Sequence, residues 1–185
     1  MVHSNSLLNN SRKAWHVFSF KTFLILFITF LGASPAFAVQ GDFYISGQKH
    51  KNSFVLSENG ASSAFFVHDK DFPGVIRALR DLQADVKKVT NAEPPFTAGT
   101  SVPKVNRVVL VGTLGKSPLI DQLVKRKKLD VKYLAGKWET FVVQVVKKPI
   151  KGVDEALVIV GSDKRGTIFG IYDVSAQIGV TPWYW

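Results

Sequence analysis

The sequence predicts an α/β fold, a mixed β-sheet with about three packed helices in the order β-β-α-β-α-β-β-α. Three observations predict it. Val75, Leu79, Leu82, Val86 and Val89 recur at 4-3-4-3 spacing, "RVVLVG" at 107–112 is apolar almost throughout, and two more apolar runs, 138–146 and 156–161, are joined by a short loop holding Pro149 and Gly152. A helix with an apolar stripe must dock it on something. A continuous apolar strand is expected where a sheet is covered on both faces. Helices layered on a sheet satisfy both demands.

The elements follow in chain order. Arg12, Lys13 and Lys21 supply positive charge, Thr22–Leu31 ("TFLILFITFL") is an apolar core, and Gly32, Ser34 and Pro35 break a helix. Ala36-Phe37-Ala38 has the small-x-small pattern of a cleavage site. Residues 1–38 are therefore expected to be a signal peptide cleaved after Ala38, with a secreted or periplasmic product. An uncleaved anchor is the alternative, since residues 22–41 carry no charge. The chain has no cysteine. An exported protein must then rely on its core rather than on disulfides, and no thiol is present to carry a lipid. From Val39 onward, 147 of the 185 residues remain, enough for one domain with a real core.

Phe54-Val55-Leu56 and Ala64-Phe65-Phe66-Val67 flank the Asn59-Gly60 turn signal, which reads as a β-hairpin. Asp71 can cap the next element and Pro73 suits its first turn, giving a helix over 72–90 that Asn91 and Pro94-Pro95 end. Each side chain of its stripe adds about 1.5–3 kcal/mol when fully buried. After the strand at 107–112, Ser117-Pro118 opens a second helix with Leu119, Ile120, Leu123 and Val124 on its stripe. The strands at 138–146 and 156–161 suit an antiparallel connection. A third helix is expected from about Asp163 to Ile178, with Gly179 at the left-handed stop and Pro182 beyond it.

Charge and motifs narrow the chemistry. The first 38 residues hold three Lys/Arg and no acid, so +7 of the net +10 belongs to the remainder. The densest run, Lys125-Arg126-Lys127-Lys128, falls at a helix end, where cations suit the dipole. No aromatic residues interleave with it as a base-stacking surface needs, so nucleic acid is not an expected partner. "GTLGKS" at 112–117 invites a P-loop reading, but that motif needs glycine at position 110, which is Leu110. Ser117 is read instead as a helix cap. His50 and His68 are isolated, without partners at metal-ligand spacing. There is no G-x-S-x-G elbow. Asp154-Glu155 is placed in a hairpin loop. No metal, cofactor or catalytic residue is assigned.

"GSDKRG" at 161–166 is the strongest candidate. Ser162 or Asp163 caps the third helix, and Lys164 and Arg165 then sit in its first turn, where the dipole disfavours cations. A bound carboxylate, a neighbouring acid or solvent would offset this, and a plain strand-to-helix corner needs no ligand at all. Gly166 and Gly170 lie on one helix face and each costs about 1 kcal/mol relative to Ala. Close helix–sheet contact is the expected compensation. Trp183-Tyr184-Trp185 place three large aromatics together.

"GKWETFVVQVV", Gly161-Ser162-Asp163-Lys164-Arg165-Gly166-Thr167, Gly170-Ile171-Tyr172-Asp173 and Pro182-Trp183-Tyr184-Trp185 resemble the N-terminal region of family 115 glycoside hydrolases, the xylan α-1,2-glucuronidases. A weaker likeness runs back to about Phe54. The resemblance implies a 39–180 α/β domain like the one that precedes the TIM barrel in exo-glycosidases, with 181–185 leading into that barrel. It implies a longer secreted enzyme that removes (4-O-methyl)glucuronic acid from glucuronoxylan or aldouronic acids by inverting hydrolysis. The catalytic pair would lie on the barrel, past residue 185, so this chain alone is expected to be inactive. Lys164 and Arg165 are then candidates for meeting the uronate carboxylate. The rival expectation is a free-standing binding module for acidic polysaccharide.

Overall fold

The computed structural model describes residues 44–48, 50–51 and 53–180. The expected signal peptide, residues 1–38, and the aromatic run with Pro182 lie outside the described residues. Among the described residues, no helix is long and apolar enough to cross a membrane.

Seven strands and three α-helices are described. A two-residue hairpin, β1 (Ser57–Glu58) and β2 (Ala61–Ser62), precedes β3 (Ala64–His68), α1 (Pro73–Thr90), β4 (Phe96–Gly99), β5 (Arg107–Thr113), α2 (Pro118–Lys125), a 3-10 turn at Lys132–Leu134, β6 (Phe141–Lys147), β7 (Glu155–Gly161) and α3 (Lys164–Gln177). The main sheet has the order β4-β3-β5-β7-β6. Its first four strands run parallel, and β6 joins antiparallel to β7. The predicted class, a mixed sheet with three helices, is the observed one.

Alternation along the strands divides the core in two. Phe66, Val108, Leu110, Val158 and Val160 face α2 through Ile120 and Leu123. Phe65, Val67, Val109, Val111 and Ile159 face α1 and α3 through Leu79, Leu82, Ile171 and Val174. The two helix layers thus sit on opposite faces. β3, β5 and β7 are buried on both, which is why their sequences are apolar runs rather than alternating ones.

Several expectations need correction. Asn59-Gly60 does make the tight turn, with both residues at positive φ (53° and 76°). The flanking strands are only two residues long, however, and the two apolar runs do not pair. Both edges of β3 are taken by β4 and β5, so 54–56 has no edge to join. The strand β4 was not anticipated, because a short edge strand ending in glycine carries little periodic signal. On α1, Val75, Leu79, Leu82 and Val86 are fully buried, with Ala78 beside them, but Val89 in the last turn is 48% exposed. The sheet strand expected at 138 begins at Phe141. Glu155 belongs to β7 rather than to a loop; it is buried and paired with Lys147.

The glycine expectation holds. A Cβ on Gly170 would stand 2.9 Å from Ile159 Cγ2 and 3.0 Å from the Phe141 ring, and one on Gly166 would strike the Thr140 carbonyl oxygen. Helix α3 presses on β6 and β7 because those positions lack side chains. Its ends match the reading too: Asp163 is the N-cap and Gly179 follows at φ 95°.

Candidate functional site

The carboxyl ends of β3, β5 and β7 and the start of β6 share one edge of the sheet. The chain leaves β3 toward α1 on one face and β5 toward α2 on the other. In open α/β sheets that divergence opens a crevice where ligands sit. Here the crevice is filled from within. Asp71, only 4% exposed, accepts the Thr113 backbone N–H at 2.7 Å, the Thr113 hydroxyl at 2.9 Å and the Phe72 N–H at 2.8 Å. The Thr113 and Thr167 hydroxyls stand 2.8 Å apart, and Thr167 reaches the Asp163 carbonyl oxygen at 2.9 Å.

Asp71 is therefore not the helix cap. Phe72 holds that position without a side-chain bond. The Thr113 N–H of the 112–117 stretch is thus already bound to a carboxylate rather than free for a phosphate. The rest of that loop agrees with this. Ser117 packs against Gly112, 2.6 Å from where a Cβ would be, and is the N-cap of α2 by position, with no side-chain cap bond. The Gly115 N–H donates to Asp121 at 2.9 Å, and Lys116 lies over the Phe72 ring.

The other end of the edge is built differently. Asp163 Oδ1 accepts the Gly166 N–H at 2.9 Å, as the capping reading expects, and its Oδ2 accepts the Glu139 N–H at 2.7 Å. These two N–H groups, Glu139's first, hold the Asp163 carboxyl below its ordinary range. Ser162 N–H donates to the Thr140 carbonyl at 2.9 Å, and Thr140 N–H to the Ser162 hydroxyl at 3.2 Å. The Thr140 hydroxyl donates to the Trp138 carbonyl at 2.9 Å. Residues 138–140 are thus clipped onto the 161–166 corner.

Lys164 and Arg165 are both exposed on this corner. Arg165 Nη1 is 2.9 Å from Glu139 Oε1, and its guanidinium lies 5.8 Å from the Phe169 ring centroid. A neighbouring acid offsets its unfavourable place at the helix start. Two residues of the corner were not singled out from sequence. Trp138 is 86% exposed, and Glu139 has φ +54°, a conformation uncommon for residues with a side chain. The sequence signal is the polar "GKWET" stretch, whose last three residues the expected strand at 138–146 takes in.

A second concavity was also unforeseen. A groove of about 900 Å³ runs between the 44–58 arm and the sheet, floored by Phe141, Val143 and Val145 of β6 and bordered by Val89 and Ile178. The arm is tied to α3 through Tyr44, whose hydroxyl donates to Asp173 at 2.6 Å and whose N–H donates to Gln177 at 3.2 Å. Burial and the Asp173 carboxylate push the Tyr44 phenol well above its usual range. The groove is an apolar seam.

Among the described residues no group of three or more His, Cys, Asp or Glu is placed to hold a metal ion. His68 is buried, and its Nδ1 accepts the Lys70 N–H at 3.1 Å.

No family model matches the chain, and no curated protein matches it. Among solved structures, the chain is similar to a novel family GH115 4-O-methyl-alpha-glucuronidase, BtGH115A, which has specificity for decorated arabinogalactans. The two are 30% identical with a TM-score of 0.56, over 72% of this chain and 15% of that one. The chain spans about that 15% of the longer protein's length. The family likeness read from the sequence is therefore accompanied by likeness of fold over 72% of this chain, and the relationship is to a glycoside hydrolase.

Proposed function

We propose that this chain is the N-terminal α/β domain of a secreted glycoside hydrolase that releases 4-O-methylglucuronic or glucuronic acid from a polysaccharide by inverting hydrolysis. The observation that carries the reading is the likeness to a 4-O-methyl-alpha-glucuronidase over 72% of this chain. The catalytic acid and base are assigned to parts of the enzyme outside these 185 residues. The carboxylates at the sheet edge support that assignment, because Asp71 is sealed in, Asp163 caps a helix and Glu139 pairs with Arg165.

The domain would supply a rigid wall beside the substrate. Lys164 and Arg165 project from its exposed corner and are suited to the uronate carboxylate, Lys164 as a point charge and Arg165 as a planar fork. Two assays test this. Polypeptide extended in frame beyond Trp185 is expected to release the uronic acid, whereas the 185-residue chain is not. Glucuronoxylan and decorated arabinogalactan offered side by side would identify the backbone. Replacing Lys164 and Arg165 by Ala in the extended enzyme should raise KM for aldouronic acids; unchanged KM and kcat would make the corner purely structural.

The exposed Trp138 favours one rival, a free-standing module that binds acidic polysaccharide. A stop directly after the Trp185 codon, together with affinity of this chain for glucuronoxylan, would select it.

A further inference from the structure

We infer that Trp138, Glu139 and Arg165 form a saccharide-binding rim, with the indole as a stacking platform and the Glu139–Arg165 pair as its polar flank. The inference rests on the proposed function only for the ligand's charge; the rim itself is read from geometry.

Three independent features converge on these residues. First, Trp138 exposes 86% of its surface, although its large apolar ring would gain more than almost any other by burial. Second, the backbone beneath it is not loose. The Asp163 carboxylate, Ser162 and Gly166 hold residues 139–140 from below, and the Thr140 hydroxyl binds the Trp138 carbonyl. With the backbone already fixed, only the two χ angles of the indole remain to be ordered when a partner arrives. Third, Glu139 is kept at φ +54°, and such strained positions persist only where surrounding contacts enforce them. In that conformation Glu139 Oε1 lies 2.9 Å from Arg165 Nη1.

The chemistry of this arrangement suits a sugar. A pyranose offers an apolar C–H face to the indole and hydroxyls to a carboxylate and a guanidinium. Arg165 still has N–H groups beyond the one facing Glu139, and these suit a uronate carboxylate bidentately. Lys164, exposed beside it, adds positive charge. A nucleic acid would want more cations along a path that follows its phosphates, which Glu139 opposes.

The test uses the 185-residue chain and three probes: a xylo-oligosaccharide bearing 4-O-methylglucuronic acid, the same oligosaccharide without it, and free glucuronic acid. Calorimetric titration should show binding to the decorated oligosaccharide, weakened about tenfold by Trp138→Ala and much less by Trp138→Phe, which keeps an aromatic face. Arg165→Ala should erase the preference for the decorated over the plain oligosaccharide. The Trp138 indole N–H resonance of the unmodified chain should also shift on titration, a readout that needs no variant. Absence of binding, or Trp138→Ala binding as well as the parent, overturns the rim. Failure of the extended polypeptide to release uronic acid while this chain still binds would overturn the enzyme reading and leave the rim standing.

Discussion

The sheet's carboxyl edge is closed at one end and open at the other. Where β3 and β5 part, Asp71 is sunk into the crevice and takes up the Phe72 N–H and both Thr113 donors. Where β7 turns into α3, the backbone is fastened just as firmly, but its side chains point outward: Trp138, Lys164 and Arg165 are all exposed. Both places hold a carboxylate bound by backbone N–H groups. Burial separates their uses. A sealed carboxylate joins strands, whereas Asp163 at the surface fixes the platform from which other residues project. A polar cluster is therefore no sign of a ligand site until its donors and acceptors have been accounted for.

The largest expected effects come from the contacts that make each end rigid. Gly166→Ala drives a methyl into the Thr140 carbonyl oxygen, a backbone atom that cannot swing aside. The gain from better helix propensity, about 1 kcal/mol, is far smaller than such a clash. Thermal unfolding should show a loss of about 3 kcal/mol or more, with the 138–140 clip opened. At the closed end, Asp71→Ala leaves the buried Thr113 N–H without an acceptor and should cost about 2–3 kcal/mol by denaturant titration. Asp71→Asn is informative beside it. Its amide nitrogen must face at least one of the three donors that the carboxylate accepts, so it should recover only part of the loss. If either Asp71 variant melts like the parent, the closed end is not a structural joint and the contrast fails. Gly170→Val comes next, because Ile159 and the Phe141 ring can shift somewhat; it should destabilise by about 2 kcal/mol without changing the surface chemistry of the corner.

Much of this was legible in sequence, for identifiable reasons. The stripe of α1 and the run at 107–112 declare burial directly, because 3.6-residue spacing and unbroken apolarity follow from packing geometry. Asp163 and Gly179 bracket α3 because helix ends need particular residues. What stayed hidden is non-local. Nothing near Asp71 announces that its partner is Thr113, 42 residues away, and a local reading naturally makes it a cap. Trp138 and Glu139 look like the start of a strand, since an aromatic and Thr140 leading into "FVV" fit β propensity. Only the pairing of Phe141 with Gly161 shows that the strand begins later and that the preceding residues are clipped to another segment. Lys164 and Arg165 were found because two cations at a helix start violate a local rule. The Glu139 that balances one of them is 26 residues upstream and leaves no trace in that rule.

A smaller effect sharpens the contrast through pH. Asp163 has its pKa lowered from an ordinary 3.8 by the Glu139 and Gly166 N–H groups. A depressed folded-state pKa means the unfolded chain takes up the proton more readily. Its contribution is therefore complete at pH values above 3.8 and disappears as the pH falls below that through the folded value. Asp163 is partly exposed, so Asp163→Ala should cost only about 1 kcal/mol at neutral pH, as for other lost caps. Melts of parent and variant should converge in acid. A gap that stays constant down to pH 2 would show that shape rather than charge holds the clip.

The smallest expected effect is the most telling. If the open end is a platform built for something else, the residue it displays should contribute nothing to the fold that displays it. Trp138→Ala should change unfolding free energy by less than about 0.5 kcal/mol, as for surface positions that make no special contact. Its clip runs through backbone atoms and through Thr140, Ser162 and Asp163, none of which the substitution removes. Removing an exposed indole also lowers the apolar area facing water, so solubility should hold or improve. A loss above 1 kcal/mol would mean that the ring lies against the protein in solution. The edge would then be closed at both ends, and the exposed cations would have no platform beside them.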